Sequence, residues 1–64
     1  MKGDNRMIEI GRFYYASTPR SKKQGVMERV KVLGITEDTV KCITVNPIKK
    51  EETYDINISE IRSN

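Results

Sequence analysis

The sequence has no histidine, no tryptophan and a single cysteine, Cys42. Each absence removes a class of chemistry. Without a second cysteine no internal disulfide forms, so the framework of a small secreted protein is excluded. Without histidine a Cys/His zinc site is excluded, and Ser17 and Thr18 have no imidazole to activate them as nucleophiles. The glycines, Gly3, Gly11, Gly25 and Gly34, are isolated, so there is no glycine-rich phosphate loop. No apolar run approaches the roughly 18 residues needed to cross a bilayer. The first residues, MKGDNRMIEIG, are too polar for a secretory signal. The expected setting is the reducing cytoplasm, with no membrane, metal or cofactor. The wealth of isoleucine, lysine and asparagine suits an AT-rich bacterial or phage genome.

What remains is short, charged and rich in β-formers. A chain of 64 residues makes one domain at most. A domain of this size hides only about 60% of its unfolded surface, so its core is small. It has little room for a deep substrate pocket, which favours a surface-binding module over an enzyme. The net charge of +3 is unevenly spread. Residues 1–33 carry eight Lys/Arg against three Asp/Glu, and residues 34–64 carry four against six. Such asymmetry is compatible with one basic face that attracts nucleic acid or acidic proteins.

The apolar period is two along nearly the whole chain, the signature of strands. MIEIGRFYYAS reads as a first strand from near Met7, with a bulge or bend at Gly11. Residues 1–6 are expected to be a flexible N-terminus ahead of a domain over 7–64. STPRSKKQG reads as a loop, opened by Thr18-Pro19 and closed by Gly25. VMERVKVLGI is the second strand, with Val30 and Val32 on one face and Arg29 and Lys31 on the other. TEDT is a turn. VKCITVNP is the third strand, with Val40, Cys42 and Val45 candidates for the inward side and Pro47 ending its pairing. TYDINI is the fourth, with Tyr54, Ile56 and Ile58 on one face. SEIRSN reads as one helical turn and a short last strand, with Ile61 inward.

Five short strands with turn signals between them indicate an all-β barrel or sandwich. Their order is strand, long loop, strand, turn, strand, turn, strand, helical turn, short strand. That order, with the closing ISEIR, resembles the SH3-like barrel from about Ile8 to Arg62. The resemblance implies a single small five-stranded SH3-like barrel with a short helical turn before the last strand. It also implies a binding module, since Tudor, KOW-type and chromo-like relatives bind RNA, DNA or proteins. Fold alone does not choose among these.

Candidate binding residues follow from charge and aromaticity. Arg20, Lys22 and Lys23 lie in the loop, and Arg12, Arg29 and Lys31 lie on flanking strands. Together they would neutralise phosphates; the competing role for the loop cations is solvated surface. Phe13, Tyr14 and Tyr15 are consecutive, so strand alternation forces at least one outward. If Gly11 shifts the register, Phe13 and Tyr15 face the core and Tyr14 is exposed; if not, Tyr14 joins Ile8 and Ile10 inside. An outward tyrosine beside cations would stack on a base. The later strands lack the aromatics for a methyl-lysine cage. The acidic pairs Glu37-Asp38 and Glu51-Glu52 fall in turns and read as solvated charge. NIS at Asn57–Ser59 matches a glycosylation sequon by chance, and Cys42 reads as a buried structural thiol.

The sequence therefore leads to a non-enzymatic nucleic-acid-binding module. The alternative is a protein-interaction module or small regulator that docks on a larger host protein. Pairing of strand edges between copies would give a homo-oligomer.

Overall fold

The structure is a computed structural model, and it describes residues 8–46 and 48–62. The expected flexible residues 1–6, the strand start at Met7 and the stop at Pro47 lie outside these residues. Among the described residues there are five strands: β1 (Phe13–Ala16), β2 (Glu28–Thr36), β3 (Thr39–Thr44), β4 (Thr53–Asn57) and β5 (Ile61–Arg62). All pairings are antiparallel, in the order β4-β3-β2-β1-β5. The sheet curls into a half-barrel. A 3₁₀ turn, Ile58–Glu60, precedes β5, and a four-residue helical turn, α1 (Pro19–Lys22), lies between β1 and β2.

Strand alternation decides the core. Tyr14, Ala16, Val30, Val32, Val40, Cys42, Ile56 and Ile61 face inward and are buried. Ile8, Tyr54 and Ile58 pack against them. Each fully buried Val or Ile side chain is worth about 1.5–3 kcal/mol relative to exposure. β2 and β3 slip register between Val32 and Gly34, leaving Leu33 unpaired. An extra residue of this kind raises the local twist, which helps the sheet curl.

The entry to β1 differs from its expected form. Residues Ile10 and Gly11 form a turn, and the strand begins at Phe13. The Glu9 carbonyl accepts from Arg12 N (3.3 Å), and Gly11, at the third position of that turn, has φ +90°. A turn with positive φ at its third position takes glycine there. Gly11 N then donates to Val32 O (2.8 Å) while Val32 N donates to Arg12 O (3.0 Å). Two residues thus oppose one, a glycine bulge. Ile10 is left 64% exposed instead of lining up with Ile8.

The segment read as a loop contains α1. Thr18 is its N-cap and Pro19 its first residue, where a missing N–H costs nothing. Thr18 Oγ1 accepts from Ser21 N (3.1 Å), and Thr18 N donates to Ser21 Oγ (2.9 Å). A cap of this kind is worth about 1 kcal/mol. In β3 the inward position after Cys42 is taken by Thr44, fully buried; Val45 lies beyond the strand, half-buried. Ile58 reaches the core from the 3₁₀ turn rather than from β4. Asn57 Oδ1 caps that turn by accepting from Ser59 N (2.9 Å), which gives the NIS triplet a structural role.

Candidate nucleic-acid interface

The outer face of β5, β1 and β2 gathers cations and aromatic rings. Tyr15 on β1 is the register partner of Arg29 on β2 and of Arg62 on β5. One pair along, Phe13 opposes Lys31. The Arg29 guanidinium carbon lies 5.1 Å from the Phe13 ring centre, and Lys31 Nζ lies 6.0 Å from it. These are cation–π distances. Phe13 and Tyr15 remain 41% and 40% exposed. No carboxylate among the described residues forms an ion pair with Arg29, Lys31 or Arg62. On the far side of the same sheet face, Lys41 opposes Asp55 across β3 and β4, so positive charge dominates only at the β5-β1-β2 end.

Two depressions flank Arg29. One, of about 330 Å³, is lined by Gly11, Arg12, Phe13 and Arg29. The other, of about 390 Å³, lies between Tyr15, the start of β2 and the β3–β4 connection. Arg12 stands at the edge of this surface, paired with Glu9 at 2.8 Å but largely exposed.

The remaining candidates are not brought together with these. Tyr14 faces inward at 7% exposure, and its hydroxyl accepts from Glu9 N (2.9 Å). It is a core residue, and Tyr15 is the outward tyrosine. Lys22 turns toward the 3₁₀ segment, with Nζ 3.6 Å from Glu60. Lys23 is exposed just past α1.

Arg20 does something else. Its Nε and Nη2 donate to both oxygens of the Glu28 carboxylate at 2.6–3.2 Å. Its Nη1 donates to Lys50 O (2.8 Å) and its Nη2 also to Thr44 Oγ1 (3.2 Å). Thr18 Oγ1 donates to Glu28 Oε2 (2.6 Å). Glu28 is therefore buried but satisfied, and its hydrogen bonds from Arg20 hold its carboxyl below the usual carboxylate range. The same bond raises Arg20 further above its ordinary value. Glu52 extends the network: its carboxylate accepts from the Tyr54 hydroxyl and lies 3.9 Å from Arg20 Nη1. That hydrogen bond raises the Tyr54 phenol. The network ties α1 to β2, β3 and the β3–β4 connection, so Arg20 is a structural clamp, not an available phosphate ligand.

Sequence reasoning overlooked three members of these sites. Arg62 was legible from parity, since an inward Ile61 puts Arg62 outward. Glu28 shares the parity of Val30 and Val32, so its burial beside a cation was legible too. Lys49 lies in the β3–β4 connection, and nothing local marks its place beside the groove.

The other chemistry-bearing residues stay inert. Burial pushes the Cys42 thiol up to about 11, so it is protonated at neutral pH. No cluster of three or more metal-ligating side chains occurs among the described residues, and no helix there is long and apolar enough to cross a membrane. No protein family, curated protein or solved structure matches this chain.

Proposed function

We propose that the protein is a non-enzymatic, cytoplasmic nucleic-acid-binding module of SH3-like architecture. The meander order and the 3₁₀ turn before β5 support the architectural part. One observation carries the functional part: Tyr15 stands outward between Arg29 and Arg62, next to Phe13 beneath Arg29, and among the described residues neither Arg29 nor Arg62 is ion-paired with a carboxylate. Arg29, Lys31 and Arg62, with Arg12 at the edge, attract the phosphate backbone. The rings supply stacking surface, which is sequence-tolerant because every base has a π-face. Lys22 and Lys23 contribute long-range attraction from the far side of α1.

Fluorescence anisotropy with labelled DNA and RNA tests this. Neutralising three to five phosphates should give a log–log salt slope of about −2 to −3.5 for single strands. Arg29→Glu with Lys31→Glu should abolish binding, and Lys22→Glu with Lys23→Glu should weaken it less. Binding insensitive to salt, or to the Arg29/Lys31 reversal, refutes the proposal. If no nucleic acid binds, the same face meeting an acidic protein becomes the leading reading, and nuclease-treated pull-down identifies the partner.

A further inference from the structure

The groove beside Tyr15 has a composition that the basic face alone does not explain. Its walls include Tyr15, Val26, Met27, Arg29, Val45 and Lys49. Tyr15, Val26 and Met27 are 40–52% exposed, so this apolar surface is open and uncovered. Arg29 and Lys49 supply positive charge. The acid in the wall, Glu28, is already held by Arg20. A volume of about 390 Å³ is at the lower end of small-ligand sites, too small for a helix of nucleic acid to enter. The groove therefore suits a flat apolar group carrying a phosphate: one base against Tyr15 and Met27, its phosphate toward Arg29 and Lys49.

A paired base cannot take that place, because both its faces are covered in the stack. An unpaired base can, at no cost of opening a duplex. The neighbouring ring of Phe13 is two residues from Tyr15 on the same strand face, about 7 Å away along β1. That spacing is close to the reach of one nucleotide in an extended strand, so a second unpaired base has a platform beside the first. Resting on the nucleic-acid reading above, we propose that the groove takes one unpaired base, and that the protein selects single-stranded over double-stranded nucleic acid.

The test uses three labelled probes of equal length: an oligothymidylate, an abasic strand with the same sugar-phosphate backbone, and a duplex. The oligothymidylate should bind tightest. Removing its bases should weaken binding by at least about 5-fold, the lower end of the range for one base lost from an aromatic ring. Tyr15→Ala should lower the oligothymidylate toward the abasic level, with the base on Phe13 holding the remainder, and leave the duplex unchanged, and Tyr15→Phe should retain most affinity. The comparison of base-bearing with abasic strands uses the unaltered protein, so it stands even where Tyr15→Ala folds poorly. Equal binding of the three probes, still lost on reversal of Arg29 and Lys31, overturns the groove assignment while the basic face stands. No binding to any probe overturns both.

Discussion

Arg20 on α1 holds Glu28 on β2 through three hydrogen bonds of 2.6–3.2 Å, while Thr18 donates to the same carboxylate from the cap of the helical turn. The pair joins α1 to the central strand of the sheet. A carboxylate at a core-facing position costs free energy unless its lone pairs are filled, and here they are.

This relationship gives stability a defined pH dependence. Glu28 has a depressed pKa in the folded state, so its contribution is complete above the ordinary value of 4.5 and fades as pH falls through the depressed value. Thermal unfolding followed by circular dichroism should show a falling Tm below about pH 4.5. Glu28→Gln should lower Tm at neutral pH and flatten that acid limb. An unchanged acid limb in Glu28→Gln would assign the pH dependence to other carboxylates.

Ile61 should be the residue whose loss is least tolerated. It is fully buried, pairs with Ala16, and is one of two described residues in β5. Truncating a buried isoleucine costs about 2–5 kcal/mol. A 64-residue domain has only about 3–10 kcal/mol in total. Ile61→Ala should therefore be largely unfolded, or melt far below the parent, in chemical denaturation. A loss under about 1 kcal/mol would show that β5 adds little to the core.

The β2–β3 hairpin carries a correctable strain. Glu37, the first residue of its two-residue turn, has φ +43°. A side chain in the left-handed region costs about 1–2 kcal/mol, of which glycine returns all but its own backbone entropy. Glu37→Gly should stabilise the protein by about 0.5–1 kcal/mol, a Tm rise of several degrees in a domain of this size. Its turn is far from Tyr15, so nucleic-acid affinity should not move. A lower Tm would mean that the turn does not hold this conformation in solution.

Much of the fold was written in local pattern. Alternation at Arg29–Val32, Val40–Cys42 and Tyr54–Ile56 identified three strands and their inward sides, and ISEIR identified the last turn and strand. α1 had a local signal as well, in Thr18-Pro19 followed by Ser21, though its cations make the same stretch resemble a solvated loop. The face of the Phe13-Tyr14-Tyr15 run was not legible. A bulge does form at Gly11, yet Tyr14 and not Phe13 or Tyr15 turns inward. The turn at Ile10–Gly11 ends the alternation that runs from Ile8, and the facing is set by the pairing of Tyr14 with Val30.

The sequence by itself determined an all-β chain and the cations and rings available to a binding surface, because period-two burial and charge are properties of neighbours along the chain. Only the tertiary structure decided which of them meet. It turned Tyr15 outward between Arg29 and Arg62, sent Tyr14 into the core, and consumed Arg20 in a clamp with Glu28. Those outcomes depend on register and on pairings between residues 8 to 47 positions apart, and a one-residue slip would reverse each facing.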